Sequence, residues 1–129
     1  MEAEILVVDD SAAIRKILQR VLRQTGMAIG NIMEAGDGEE ALAILKTRKV
    51  DLVLTDINMP KMDGLQFLGK VKSTADWEAI PVVMITTEGG ETKVAEAVRL
   101  GAAGYVRKPF TADQIKEKLA ALLEPALPL

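Results

Sequence analysis

The sequence contains no cysteine and no histidine among its 129 residues. The absence of cysteine excludes a disulfide framework and a thiolate metal site. The absence of histidine excludes a Ser-His-Asp enzyme, a histidine-ligated zinc site and a phosphohistidine on this chain. Any chemistry of this protein must therefore come from carboxylates, hydroxyls, amides and amines.

Aromatic residues, long apolar runs and excess positive charge are also lacking. Aromatic residues make up 3% of the chain and apolar residues 49%, so we expect an aliphatic core. No apolar run approaches the ~18 residues of a membrane span, and residues 1–4 do not begin a signal peptide. The net charge of −3 argues against a nucleic-acid binder, which usually carries a basic stripe. We expect a cytoplasmic protein that binds neither nucleic acid nor a membrane.

Four short apolar runs each lead directly into polar residues. Such runs, bounded by turn signals, are typical of buried parallel strands. Ligands of an open parallel sheet bind at the carboxyl ends of its strands, so three carboxylates, two hydroxyls and an ammonium are expected to meet at one edge. The runs with their polar successors are Ile5–Val8 with Asp9 and Asp10, Leu52–Thr55 with Asp56, Val82–Ile85 with Thr86 and Thr87, and Gly104–Arg107 with Lys108 and Pro109.

The whole chain is predicted to consist of five strand-helix repeats. Alternating strands and helices with short loops imply a parallel sheet with helices on both faces, which is an α/β fold. Helix starts are marked by Ser11, by the Asp63–Gly64 turn and by two capping boxes, and Gly26 and Gly101 mark helix ends. The capping boxes are Asp37 with Glu40 and Thr111 with Gln114. The predicted strands are Glu4–Val8, Asn31–Glu34, Asp51–Thr55, Val82–Ile85 and Gly104–Arg107.

Four motifs in this order resemble the receiver domain of two-component response regulators, above all the CheY-like kind. They are Val8–Ser11, Leu54–Gly64, Ile85–Glu88 and Gly104–Phe110. Each motif alone is common, and the order and separation of the four make the resemblance specific. It implies a flavodoxin-like, doubly wound (βα)5 sheet with strand order 2-1-3-4-5. It also implies a single receiver domain over residues 1–129, with a core of about 4–123 and no output domain.

The resemblance implies that Asp56 accepts a phosphoryl group from a histidine kinase in a Mg²⁺-dependent reaction. Asp10, Asp56 and the backbone carbonyl of Asn58 would then bind the metal directly, and Asp9 through water. Such hard oxygen ligands suit Mg²⁺. Taken by themselves, Asp9 and Asp10 would also suit the solvated N-terminus of a helix.

Further residues have roles in phosphate binding, switching and hydrolysis by the same resemblance. Lys108, Thr86 and Thr87 would stabilise the phosphoryl group, and Thr86 with Tyr105 would form the switch pair. An ordinary half-buried strand tyrosine is the alternative for Tyr105. The residues expected to tune dephosphorylation are Asn58 and Glu88.

The output face implied by the resemblance combines the fourth helix, the fifth strand and the fifth helix. Its basic residues fit an acidic partner, and an ordinary solvated face is the alternative. Expected partners of this monomer are a histidine kinase and a downstream protein, either the flagellar switch or another histidine protein in a phosphorelay. Arg107 departs from the small apolar residue that chemotaxis regulators often carry there. The face comprises Lys93, Val94, Tyr105, Arg107, Lys116 and Lys118.

Two other protein classes fit the sequence less well than a regulatory phosphoacceptor that is not an enzyme. A Mg²⁺-dependent phosphohydrolase with an aspartate nucleophile usually has a second aspartate two residues later, where this chain has Asn58. A flavodoxin-like cofactor binder needs a first loop that accepts phosphate, and the acidic loop at Asp9, Asp10 and Ser11 would repel it.

Overall fold

The computed structural model describes residues 2–87 and 91–123 of the chain. Five strands and five helices alternate along these residues, as the sequence predicted. The elements in chain order are β1 Ala3–Val8, α1 Ala12–Gln24, β2 Ile29–Ala35, α2 Gly38–Thr47, β3 Leu52–Asp56, α3 Gly64–Lys72, β4 Val82–Thr86, α4 Glu91–Arg99, β5 Gly104–Arg107 and α5 Ala112–Leu123.

The five strands form one parallel sheet in the order β2-β1-β3-β4-β5. This confirms the flavodoxin-like α/β fold with strand order 2-1-3-4-5. In the pairing register, Val8 lies level with Thr55, Asp56 with Ile85, and Thr86 with Arg107. The carboxyl ends of β1, β3, β4 and β5 therefore meet along one edge of the sheet.

Side chains of the strands alternate between two apolar cores, one on each face of the sheet. Leu6 and Val8 of β1 pack with the residues of α2, α3 and α4, whereas Ile5 and Val7 pack with those of α1 and α5. Phe67 is the one aromatic side chain among the largest fully buried side chains of the described residues, so the core is aliphatic as expected. Burying each large aliphatic side chain stabilises the fold by about 1.5–3 kcal/mol before conformational entropy is counted.

Two of the predicted helix starts show different degrees of capping. At α5, Thr111 and Gln114 exchange both backbone-to-side-chain hydrogen bonds, at 2.9 and 3.2 Å, which confirms that capping box. At α2, the Asp37 carboxylate accepts from the Glu40 amide at 2.9 Å. The Glu40 carboxylate, however, accepts from the amide of Gly36 and not from that of the N-cap residue Asp37. The capping box at α2 is therefore incomplete.

The start of α3 is more ordered than the simple turn that the sequence predicted. Asp63 and Gln66 form a complete capping box. Gly64, the first residue of α3, donates from its amide to the Ile57 carbonyl at 2.7 Å. These bonds fix α3 against the chain that leaves β3, which is the strand carrying Asp56.

The remaining boundaries agree with the sequence to within a few residues. β2 extends beyond the predicted Asn31–Glu34 at both ends. Gly26 and Gly101, which follow α1 and α4, have φ values of 75° and 104°, a region that favours glycine. Within residues 2–87 and 91–123, no helix has the length and apolar character needed to span a membrane.

Candidate functional site

Three carboxylates meet where β1 and β3 end. Asp9 and Asp10 follow β1 directly, and Asp56 is the last residue of β3. One carboxylate oxygen from each of the three lies within 4.8 Å of those of the other two. Asp9 is buried, Asp56 is half-buried and Asp10 is exposed, so the cluster runs from the interior to the surface of the sheet edge.

The buried carboxylate of Asp9 has a partner for each oxygen. Its Oδ1 accepts from the Ser11 amide at 2.9 Å, and its Oδ2 accepts from Lys108 Nζ at 3.1 Å. Arg15 donates to the Asp9 carbonyl at 2.6 Å. A buried charge is tolerated when it is paired and hydrogen-bonded. The Ser11 amide and Lys108 provide these interactions for the Asp9 carboxylate.

Lys108 reaches the cluster from the turn after β5. Its amide donates to the Thr86 carbonyl at 2.6 Å, and the Lys108–Pro109 peptide is cis. Its Nζ lies 3.9 Å from Asp56 Oδ2 and its side chain is 15% exposed. One lysine thus contacts the carboxylates that end two neighbouring strands.

The charge of Asp56 is destabilised by burial and by the neighbouring carboxylates, and Lys108 compensates for this only in part. Its Oδ1 accepts from the Ile57 amide at 2.8 Å. Burial raises the pKa of Asp56 above its ordinary value; nearby Lys108 lowers it in part, and the charges of Asp9 and Asp10 raise it further. Ionisation of this carboxyl is therefore less favourable than in a free aspartate, and an additional cation nearby would stabilise the ionised form.

Gly64 is needed for the position of Asp56, although the sequence predicted only a turn at this residue. A Cβ at this position would collide with the Asp56 carbonyl oxygen and approach the Ile57 Cα to 2.9 Å. Both atoms belong to the backbone and cannot move aside alone. The signal in the sequence was the glycine directly after the N-cap Asp63, where a larger residue is usually allowed.

The donor atoms of the cluster suit a hard divalent cation. Carboxylate oxygens are the ligands that Mg²⁺ and Ca²⁺ prefer, whereas zinc and copper sites usually contain nitrogen or sulfur. Asp9, Asp10 and Asp56 together carry three negative charges, and Lys108 supplies one positive charge in contact with Asp9 and Asp56. Charge and donor type therefore both fit a metal site.

A cleft of about 460 Å³ opens beside Asp56. Thr86, which ends β4, is 8% exposed, and Thr87 beyond it is exposed. Thr86 and Thr87 thus line the same cleft as Asp56. The cleft is lined by Asp56, Ile57, Asn58, Thr86, Thr87, Thr92 and Lys93.

Lys93 and Thr92 reach this cleft from the first turn of α4. Lys93 Nζ donates to Asn58 Oδ1 at 2.8 Å, so the side chain that the sequence assigned to the output face also borders the carboxylate edge. Thr92 was not anticipated. Its position could have been inferred from the short connection between β4 and α4, which keeps the first turn of α4 near the carboxyl end of β4.

The predicted switch pair lies on neighbouring strands. Thr86 is level with Arg107 and Tyr105 is level with Met84. Since side chains alternate along a strand, Thr86 and Tyr105 face the same side of the sheet in diagonal positions. Tyr105 is 42% exposed, and its ring centre lies 5.8 Å from Lys118 Nζ.

The other predicted residues occupy the α4, β5 and α5 surface, with one exception. Arg107, Lys116 and Lys118 are exposed, and Val94 is partly buried. A shallow cleft of about 330 Å³ beside Tyr105 is lined in part by Arg107, Lys108 and Lys118. Glu88, the second residue expected to tune dephosphorylation, lies outside the described residues.

Comparison with known proteins gives a consistent result. Residues 5–120 match the family model described as the response regulator receiver domain. The chain is 41% identical over 121 residues to chemotaxis protein CheY-3 of Vibrio cholerae, covering 94% of this chain and 92% of that protein. A CheY homologue of Campylobacter jejuni is 40% identical, covering 93% and 92%.

Solved structures show the same fold. The chemotaxis response regulator CheY4 of Vibrio cholerae matches with a TM-score of 0.84 at 33% identity, covering 95% of this chain and 100% of that one. A response regulator structure from Chloroflexus aurantiacus matches with a TM-score of 0.87 at 26% identity, covering 95% and 98%.

Proposed function

This chain belongs to the response regulator receiver family, and on that premise we propose that it accepts a signalling phosphoryl group on Asp56. The family consists of regulatory phosphoacceptors rather than catalytic enzymes, and a receiver implies a histidine kinase as phosphodonor. One observation carries the choice of residue. Asp56 is the carboxylate that ends the central strand β3, lies 3.9 Å from Lys108 and also lines the open cleft.

We assign the metal site to the same edge. Asp10, Asp56 and the backbone carbonyl of Asn58 would hold Mg²⁺ directly, and Asp9 through water. When bound, the ion offsets the negative charge of the carboxylates and of the phosphoryl oxygens. The fit rests on three carboxylate oxygens within 4.8 Å of one another.

The chemistry assigned to Asp56 is nucleophilic attack on phosphorus. A carboxylate oxygen forms the new O–P bond while the P–N bond to the kinase's histidine breaks. The imidazole leaves with the bonding electrons and takes a proton from water, so that no further reactant is needed. Lys108 remains beside the acquired phosphoryl oxygens, and the hydroxyls of Thr86 and Thr87 donate hydrogen bonds to them. Protein assistance in phosphoryl transfer is mostly positioning and charge stabilisation of this kind.

We propose that the added charge is read on the surface formed by α4, β5 and α5. A phosphoryl group adds about −1.5 to −2 charges, and Thr86 and Tyr105 face the same side of the sheet near it. Thr86 moves toward the phosphoryl group, and Tyr105 turns into the space. The surface that responds includes Lys93, Val94, Tyr105, Arg107, Lys116 and Lys118.

Chemotaxis-type signalling by a single receiver domain is our first assignment for the pathway. The relatives at about 40% identity are named as chemotaxis proteins. Exposed Arg107 on the output surface favours a second candidate, a phosphorelay intermediate that passes the phosphoryl group to another histidine protein. The two differ in the fate of the phosphoryl group, since only the second transfers it onward.

Labelling with acetyl phosphate and Mg²⁺ tests the assignment of the acceptor. We expect one hydroxylamine-labile phosphoryl group, located at Asp56 by peptide mass analysis. Asp56→Asn abolishes it, whereas Asp76→Asn, which changes an exposed aspartate elsewhere, leaves it intact. Labelling at another residue in both variants would refute the assignment.

The lifetime of the phosphorylated form tests the signalling role. Asn58 and Glu88 are polar and can orient a water toward phosphorus, so we expect loss of phosphate within minutes or faster. Glu88→Leu is expected to slow that loss. A wild-type acyl phosphate that persisted for hours would contradict brief signalling.

A further inference from the structure

Lys93 occupies a different electrostatic environment from Lys108, although both border the acceptor. Lys108 Nζ lies 3.1 Å from Asp9 and 3.9 Å from Asp56, with a side chain that is 15% exposed. Lys93 is exposed, and its Nζ contacts the neutral amide of Asn58 at 2.8 Å. Among the side chains that the structure describes, those of residues 2–87 and 92–123, none forms a carboxylate ion pair with Lys93. Its positive charge is therefore not opposed by a described carboxylate in contact with it.

The position of Lys93 is fixed from both sides of the cleft. Its backbone belongs to the first turn of α4, and its ammonium reaches the loop that follows β3 through Asn58. Asp56 and Lys93 line the same cleft of about 460 Å³. The ammonium group is thus held at the solvent side of the cleft, where a phosphodonor must enter.

The charge balance of the edge explains why such a cation matters. Three clustered carboxylates contain more negative charge than Lys108 offsets, and like charge lowers the rate at which an anionic substrate enters a cleft. Bound Mg²⁺ would bring this edge only to about neutrality, so a dianionic donor still depends on a further cation for attraction into the cleft. Among the described residues that line the cleft, Lys93 is the cation on the approach.

We propose that Lys93 is a positioning residue that attracts the phosphoryl group of the donor into the cleft and holds it toward Asp56. This inference rests on the proposed function, since it assumes that Asp56 is the acceptor. It assigns to α4 a part in the acquisition of the phosphoryl group as well as in the output. Asn58 has the supporting role of keeping the ammonium at the mouth of the cleft instead of free in solvent.

The test is the rate at which acetyl phosphate labels Asp56 at saturating Mg²⁺ and low salt, followed by intact mass, with hydrolysis measured separately after donor removal. Removing one cation from the approach is expected to slow labelling by roughly fivefold in Lys93→Gln. Lys93→Arg keeps the charge and is expected to label at close to the wild-type rate. Lys46→Gln is the matched control, because it removes one exposed lysine charge from the last turn of α2, away from the cleft.

Two further readouts separate attraction of the donor from damage to the site. At about 1 M salt the Debye length falls to roughly 3 Å, so the wild type and Lys93→Gln should label at nearly equal rates. Calorimetric Mg²⁺ affinity, measured without donor, should be unchanged or higher in Lys93→Gln, because a nearby cation repels the metal.

Three results would overturn the proposal: equal labelling of Lys93→Gln and wild type at low salt, a defect that persists at high salt, or weakened Mg²⁺ binding in the variant. If wild type itself acquired no phosphoryl group on Asp56, the proposed function would fail, and this inference with it.

Discussion

Replacing Asp56 with asparagine is expected to stabilise the metal-free protein. The substitution removes a charge whose side chain is 14% exposed and preserves its shape. The asparagine oxygen can still accept from the Ile57 amide, which Asp56 Oδ1 does at 2.8 Å. Lys108 retains its closer partner Asp9 at 3.1 Å. The main change is therefore the loss of repulsion and of the desolvation cost of the ionised carboxyl.

The magnitude follows from the distances. At an effective dielectric constant of about 20, each repulsion across 4.8 Å costs at least about 3.5 kcal/mol. The attraction to Lys108 across 3.9 Å contributes about 4.3 kcal/mol in the opposite direction. Two repulsions against one attraction leave the charge of Asp56 unfavourable by roughly 2–3 kcal/mol, and solvent screening reduces this. We therefore expect Asp56→Asn to raise the free energy of unfolding by about 1–2 kcal/mol.

The stability that Asp56→Asn gains over wild type should increase with pH. Because the pKa of Asp56 is raised in the folded protein, its ionisation destabilises the fold. That cost is absent below the unfolded pKa of about 3.9 and complete above the folded pKa. The wild type therefore loses this stability as pH rises through the raised pKa, and Asp56→Asn does not. The difference between the two proteins should vanish near pH 4.

Urea denaturation in the presence of a chelator measures the effect, with Asp76→Asn as an exposed control that should change little. Adding Mg²⁺ should narrow or reverse the difference, because the wild type gains binding energy that the variant lacks. Equal or lower stability of Asp56→Asn relative to wild type, at neutral pH without metal, would show that the charge of Asp56 is not unfavourable. A gain of the same size at pH 7 and near pH 4 would contradict the raised pKa of Asp56.

Three further outcomes are expected. Gly64→Ala should destabilise the protein by about 1–3 kcal/mol in urea denaturation and slow the labelling of Asp56, because the new Cβ collides with the backbone of that residue. Asp10→Ala should weaken calorimetric Mg²⁺ binding more than Asp9→Ala does. Asp9→Ala should lower the free energy of unfolding more than Asp10→Ala, because it removes the closer carboxylate partner of the largely buried Lys108. Mg²⁺ should quench Trp77 fluorescence little, since Trp77 lies between α3 and β4, packs against the apolar core and lines a cleft with Lys46 and Lys49. Strong saturable quenching would contradict this placement.

The fold was predictable because most strands are buried on both faces. β1, β3 and β4 are almost wholly inaccessible to solvent, and such strands are nearly continuous apolar runs that end abruptly in polar residues. The edge strand β2 has a mixed burial pattern, so its signal was weaker and its predicted bounds were too short. The apolar pattern of a sequence indicates which residues are buried, so it locates a partly buried strand such as β2 less accurately.

The site was predictable only where sequence position determines spatial position. Asp9 and Asp10 follow the end of β1 and Asp56 ends β3, so the sheet itself brings them together. Lys93 was assigned to the output face by the family resemblance. Its contact with Asn58 depends on the reach of a long side chain and on where α4 starts. The sequence showed Gly64 only as a turn residue, because the backbone that its Cβ would meet lies seven and eight positions earlier, across a loop.

The two lysines of the edge also differ in what their removal can reveal. Lys108 neutralises Asp9, whose side chain is 2% exposed, so its loss would leave a buried charge unpaired and destabilise the fold. A slow reaction in such a variant would mix chemistry with stability. Lys93 is exposed and contacts an amide, so its loss leaves no buried charge behind. Kinetic changes in Lys93 variants therefore report on the electrostatics of the cleft, which the same measurement on Lys108 cannot isolate.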